Sequence, residues 1–206
     1  MDSLISKINA LKKSEISKQI HKRYNQFLNF KKTNHNLFSE LCFCILTANY
    51  NAEKAIVIQN SLKKDFIYLS ESQLVNALKK YGYRYPNVRA KYIVYNRKYF
   101  FDLKNVLKKY SGDDLRKWFV ENIKGYGYKE ASHFLRNIGY EDYAIIDFHI
   151  VDLLIKENII KKPKTLTPKI YLQIEKKLYK LGKKLNLSLG ELDLYLWYLE
   201  TGKILK

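Results

Sequence analysis

The chain has 206 residues, 47% of them hydrophobic, which suffices for one compact unit or two small lobes sharing a core-lined groove. Its 38 lysines and arginines against 20 acidic residues give a formal charge of +18, too lopsided for an ordinary metabolic enzyme and suited to a polyanionic partner. The duller account of that charge is a solvated face in a lysine-rich chain. Residues 1–7 lack the basic region and apolar block of a signal peptide, and no stretch approaches ~20 apolar residues, so no membrane association is expected and the protein is read as cytoplasmic. Cys42 and Cys44 stand two apart on an apolar helix and point in different directions. They are expected in or near the core of a protein kept in a reducing compartment.

In chain order, Leu4, Ile5, Ile8 and Leu11, then Ile16, Ile20, Tyr24, Phe27 and Leu28, predict one long or two short N-terminal helices. Asn34 or Asn36 can cap the next helix, which buries Leu37, Phe38, Leu41, Cys42, Ile45 and Leu46 and ends at Thr47-Ala48-Asn49. A short helix follows through Ala52, Ala55, Ile56 and Ile58. Ser70-Glu71-Ser72-Gln73 has the form of a capping box ahead of Leu74 and Leu78. Residues 81–87 break the periodicity as a loop, and a helix with Val88, Tyr92, Ile93, Tyr95 and Tyr99 starts after it. Ser111-Gly112-Asp113-Asp114 caps the helix carrying Leu115, Trp118, Phe119 and Ile123.

Then comes Lys124-Gly125-Tyr126-Gly127-Tyr128-Lys129, followed by a helical pattern through Ala131, Phe134, Leu135 and Ile138. This reads as helix, tight hairpin, helix. Glycine permits positive φ and close backbone approach, so Gly125 and Gly127 are expected to present amide N–H groups to a phosphate at the start of the second helix. Asp147 interrupts the apolar run from Ala144 to Val151 and is placed to cap a helix burying Ile150, Val151, Leu154 and Ile155. Residues 161–168 look like a linker, with Thr167 as cap and Pro168 at the first helical position. Ile170, Ile174, Leu178, Leu181 and Leu185 continue one amphipathic helix; Ser188-Leu189-Gly190-Glu191 is a second capping box opening the last. No strand and no repeat is evident, so the fold is predicted to be all-α.

Four separated runs, Glu40-Leu41-Cys42-Phe43-Cys44-Ile45-Leu46-Thr47-Ala48-Asn49, Lys129-Glu130-Ala131-Ser132-His133-Phe134-Leu135-Arg136-Asn137, Ala144-Ile145-Ile146-Asp147 and Glu191-Leu192-Asp193-Leu194-Tyr195-Leu196-Trp197-Tyr198, resemble the type-2, archaeal-style 8-oxoguanine DNA glycosylases of the helix-hairpin-helix superfamily. The likeness spans nearly the whole chain. It implies a helix-hairpin-helix glycosylase fold with two helical lobes and an active-site cleft between them. One lobe would combine residues 1–30 with 140–206; the other would hold residues 31–139, ending in the motif at 115–139.

The same resemblance implies a bifunctional base excision repair enzyme that removes 8-oxoguanine and cleaves the abasic site. Lys129 would be the nucleophile. At a helix start the dipole disfavours its ammonium form, so a fraction of free amine can attack C1′ and leave a Schiff base. Asp147, besides capping, would stabilise positive charge on the sugar and help to accept the proton from Lys129. Trp197 and Lys206 would form the base pocket, a terminal carboxylate accepting from the purine N7–H that 8-oxoguanine has and guanine lacks. Arg84 and Tyr85 would greet the orphaned opposite base and wedge into the stack.

Two stretches depart from the family pattern. Arg84-Tyr85-Pro86-Asn87 stands where the family has Arg-Phe-Tyr-Asn, which leaves the preferred opposite base open, and Phe148 stands where it has arginine, which removes a cation. His133 and His149 are read as structural. With two cysteines, four histidines and no ligand spacing, neither metal, iron–sulfur cluster nor other cofactor is expected. The expected partner is damaged double-stranded DNA, bound by a monomer. Two alternatives stay open: a glycosylase for another lesion, and a helix-hairpin-helix module that binds DNA without chemistry.

Overall fold

A computed structural model describes all 206 residues. The chain is helical throughout, with α1 (Asp2–Lys12), α2 (Glu15–Leu28), α3 (Asn34–Thr47), α4 (Ala52–Leu62), α5 (Asp65–Tyr68), α6 (Glu71–Lys80), α7 (Pro86–Asn96), a 3-10 turn (Arg97–Tyr99), α8 (Leu103–Lys109), α9 (Gly112–Asn122), α10 (Tyr128–Asn137), α11 (Phe148–Lys156), α12 (Pro168–Leu185) and α13 (Leu189–Thr201). No helix is long and apolar enough to cross a membrane. The residues group into two compact units, Met1–Phe30 with Leu135–Lys206 and Lys31–Phe134, and the division falls inside α10.

In the first unit α13 is the central helix. Leu189, Leu192, Leu194, Tyr195 and Leu196 are all buried, so it is apolar nearly all round, as a helix must be when neighbours cover every side. It packs against α2 and α11. One buried ion pair crosses this core, Arg136 Nη2 to Asp193 Oδ2 at 3.1 Å, with the Arg136 guanidinium 4.4 Å from the centre of the Phe27 ring. Leaving either charge there without the other would cost several kcal/mol, on the order of 3–5.

In the second unit α3 has the corresponding place. Leu37, Phe38, Leu41, Cys42, Phe43, Cys44, Ile45 and Leu46 are each fully buried, and α4, α5, α7 and α8 surround them. The two cysteines are therefore core side chains, and burial pushes the Cys42 thiol well above its ordinary range.

Local chemistry explains most helix starts. Ser70 and Gln73 form the reciprocal capping box, and Thr167 caps α12 with Pro168 at its first position. The N-terminal pattern resolves into two helices because Ser14 caps α2. Elsewhere the sequence reading needs correction. Thr33, rather than Asn34 or Asn36, caps α3, its hydroxyl accepting from Asn36 N at 3.2 Å. Helix α7 begins at Pro86, inside the segment read as loop, since proline suits the first helical position. Ser111 precedes α9 but its side chain makes no capping bond. Helix α11 buries Leu153 beside Ile150 and Leu154, while Val151 and Ile155 are only half-buried. At α13 the capping box is half-made: Ser188 accepts from Glu191 N at 3.1 Å, whereas the Glu191 carboxylate turns to His21, 2.8 Å away.

Candidate functional site

The hairpin joins α9 to α10 and is held by its own middle residue. Tyr126, between the two glycines, is buried against Phe119 and Phe134 and donates its hydroxyl to Leu41 O at 3.1 Å, anchoring the turn to α3. Burial pushes that phenol well above its ordinary range. Asn96, fully buried at the end of α7, brackets the turn from the other side. Its amide donates to Lys124 O at 3.0 Å and its carbonyl accepts from Lys124 N at 2.9 Å.

The two glycines are not equivalent. Gly125 has φ +91°, and a Cβ there would lie 2.6 Å from Tyr92 Cδ2, so both conformation and space demand glycine. Gly127 has no positive φ, and its N–H is already donated to Glu130 Oε2 at 3.1 Å. Of the pair expected to offer amides to a phosphate, Gly127 is thus satisfied from within α10. Sequence reasoning missed Glu130. The signal was present, since an acidic residue three after the capping position is the second half of a capping box even when the first is glycine.

Lys129 is the second residue of α10, and its side chain is 20% exposed. Its Nζ lies 3.8 Å from Glu130 Oε1. Adjacent helical residues do not normally face each other. They meet here because Glu130 curls back to the Gly127 amide.

Asp147 belongs to the first unit. It holds extended backbone at φ −103° and ψ −174°, and its Oδ1 accepts from Ile150 N at 3.0 Å as the cap of α11. The segment before it is buried and fixed by Tyr171 of α12, whose hydroxyl donates to Ala144 O at 2.6 Å and accepts from Ile146 N at 3.2 Å. Beside the cap, the His149 ring lies 4.0 Å from the Phe148 ring and edge-on to Trp197 at 5.1 Å. His149 thereby connects the Asp147 turn to Trp197. Phe148 is 64% exposed. Lys206 is half-buried in the tail beyond Gly202, which ends α13 at φ +68°.

Arg84 and Tyr85 stand immediately before α7. The Arg84 guanidinium is exposed and 5.1 Å from the Tyr85 ring centre; Tyr85 is half-buried. Arg89 lies 5.9 Å from the Tyr85 ring and 5.7 Å from that of Tyr92, which packs on Gly125. The loop pair and the hairpin are therefore joined through Arg89 and Tyr92, neither of which the sequence marked as functional. His133 is buried on α10 with its ring edge-on to Phe43 at 5.6 Å. No three His, Cys, Asp or Glu side chains gather into a metal-holding group.

The family model described as 8-oxoguanine DNA glycosylase matches residues 20–187. A Methanocaldococcus jannaschii protein named 8-oxoguanine DNA glycosylase/AP lyase is 50% identical over 98% of this chain and 99% of its own length. A Korarchaeum cryptofilum protein of the same name is 45% identical over 100% and 99%. Among solved structures, the M. jannaschii 8-oxoguanine glycosylase/lyase in complex with a 15mer DNA containing 8-oxoguanine superimposes with a TM-score of 0.96 at 48% identity, covering 99% of this chain and 100% of that one. The Thermotoga maritima 8-oxoguanine DNA glycosylase gives 0.94 at 40% identity, covering 100% and 99%. Four separated sequence runs, with a glycine hairpin followed by Lys129 and a capping Asp147, were the features that suggested the kinship; with a match running end to end, the chain belongs to the 8-oxoguanine DNA glycosylase family.

Proposed function

We propose that this protein excises 8-oxoguanine from double-stranded DNA and cleaves the strand at the resulting abasic site. The observation that carries this reading is the end-to-end likeness to relatives named 8-oxoguanine DNA glycosylase/AP lyase, one of them solved with DNA containing the lesion. The formal charge of +18 suits the same partner. The chain is read as acting as a monomer.

Lys129 is the nucleophile in this reading. Its free amine attacks C1′ of the damaged nucleotide, the N-glycosidic bond breaks, and the base leaves with the bonding electrons and takes up a proton. Opening of the sugar at O4′ gives an imine between C1′ and Nζ. The imine acidifies the C2′ hydrogen; loss of that proton pushes electrons toward C3′ and expels the 3′ phosphate, so the strand is cut by β-elimination. Asp147 is the charged partner: its carboxylate stabilises positive charge on the sugar as the base departs and helps to take the proton from Lys129. Trp197 supplies a stacking face for the extruded base and Lys206 its polar contact. Arg84 and Tyr85 fill the gap and meet the opposite base. The hairpin around Gly125 holds a phosphate.

Borohydride reduction of the imine tests this directly. A duplex with one 8-oxoguanine opposite cytosine is expected to become covalently attached to the unaltered protein, while Lys129→Gln and an undamaged duplex give no product. Trapping only on a preformed abasic site would move the lesion elsewhere. No trapping on either would favour a binding module without chemistry.

A further inference from the structure

Arg89 stands where its charge is unfavourable to its own helix. It is the fourth residue of α7, inside the first turn, where the backbone dipole repels a cation. Its partner lies elsewhere. Nη2 donates to Ala48 O at 3.0 Å, and Ala48 is the C-cap of α3, where a helix presents its negative end. The guanidinium also reaches two aromatic rings, 5.9 Å from the centre of Tyr85 and 5.7 Å from that of Tyr92, within the range of cation–π attraction. Tyr92 is the ring against which Gly125 closes. Tyr83, whose phenol burial raises to about 12 against a partial lowering by Arg89, donates to Leu46 O at 2.8 Å and packs on Tyr50 at 4.4 Å. One side chain thus ties together the end of α3, the Arg84–Tyr85 loop and the ring beneath the hairpin. A planar guanidinium can hydrogen-bond in its own plane while its flat face lies against rings, a geometry that an ammonium, having no flat face, cannot reproduce.

We propose that Arg89 is the positioning residue of the Tyr85 wedge: it fixes the ring in the attitude that fills the gap left by an extruded nucleotide, and so sets how firmly the protein grips a duplex around the lesion. The inference rests on the proposed glycosylase reading and deepens it. Arg89 acts through Tyr85 and touches neither the base nor the sugar. The contribution of Tyr85 to duplex binding therefore exists only while Arg89 is in place, and it vanishes on a single strand, which has no paired stack with a gap to fill.

A double-mutant cycle on the full chain tests this, with Arg89→Gln, Tyr85→Ala and the pair measured against a duplex carrying a tetrahydrofuran abasic analogue opposite cytosine. Borohydride trapping on a single-stranded abasic site is the second readout. Each single substitution is expected to weaken duplex binding about tenfold, and the pair also about tenfold instead of the roughly hundredfold of independent residues. Single-strand trapping by Arg89→Gln stays within about twofold of the unaltered protein, as fits a residue remote from the chemistry. Arg89→Lys, a milder change for folding, recovers under half of the logarithmic loss because it keeps the charge without the planar face. Additive losses, an equal loss on the single strand, or a Tyr85→Ala variant that binds normally while Arg89→Gln does not would each overturn the positioning role. In those cases trapping on the 8-oxoguanine duplex persists. Failure of that trapping in the unaltered protein would instead overturn the glycosylase reading on which the inference rests.

Discussion

The two helix starts to which chemistry is assigned are built on opposite electrostatic terms. Asp147 stands with its helix: a carboxylate at the positive end of α11, bonded to Ile150 N at 3.0 Å. Lys129 stands against its helix, a cation in the first turn of α10 offset by Glu130, whose carboxylate is 3.8 Å away and also caps Gly127. One residue stabilises the fold in addition to the chemistry proposed for it. The other is placed at some cost to local stability. Loss of stability and loss of activity should therefore separate differently at the two sites.

The sharpest contrast is expected at Lys129. Lys129→Gln should lower base excision by roughly 10³-fold or more, as removal of a nucleophile does. Thermal stability should hold within about 0.5 kcal/mol, since a cation leaves the positive end of a helix. Single-turnover kinetics and a melting curve on the same preparation check both halves. A melting midpoint that drops with activity would break the contrast.

At Asp147 the choice of replacement does the separating. Asp147→Asn keeps a strong cap without the charge, so excision should fall about 10²- to 10³-fold with the midpoint nearly unchanged. Asp147→Ala should lose the same activity and also ~1 kcal/mol of stability. Equal activity in Asp147→Asn and the unaltered protein would leave Asp147 a cap and nothing more.

Within the hairpin the two glycines should differ in the same spirit. Gly125→Ala meets the Tyr92 ring at 2.6 Å in a backbone at φ +91°, and roughly 1–3 kcal/mol should be lost. Gly127→Ala meets only Glu130 Oε2 at 3.3 Å and should cost under about 1 kcal/mol by urea unfolding.

The smallest effect is expected from an ion pair remote from the site. Lys7 holds the Glu157 carboxyl below its ordinary range. Its stabilisation is present above the unfolded carboxyl value of 4.5 and is lost as pH falls through the lower folded value. Glu157→Gln should flatten the acid decline in melting midpoint over that window by slightly lowering the neutral value, leaving the value below the window little altered.

Much of this was legible in the chain because caps are local. Ser70 with Gln73, Thr167 with Pro168, and Asp147 ahead of Ile150 each act within three residues, and each helix starts where those residues place it. What could not be read depends on distant partners. Glu191 leaves its capping box for His21, far away in sequence. Glu130 takes the Gly127 amide that seemed open to a phosphate. Helices α5 and α8, with the 3-10 turn, are too short to show a period. Lys129 and Asp147 were singled out by spacing and kinship, whereas Arg89 looked like any surface cation until Ala48 and two tyrosines were found around it.

The most direct test of the central claim is to locate the covalent bond. After borohydride reduction on an 8-oxoguanine duplex, nuclease digestion and proteolysis, mass spectrometry should find the sugar remnant on the peptide containing Lys129 and on no other. A remnant on a different lysine, or on the N-terminal amine, would contradict the account.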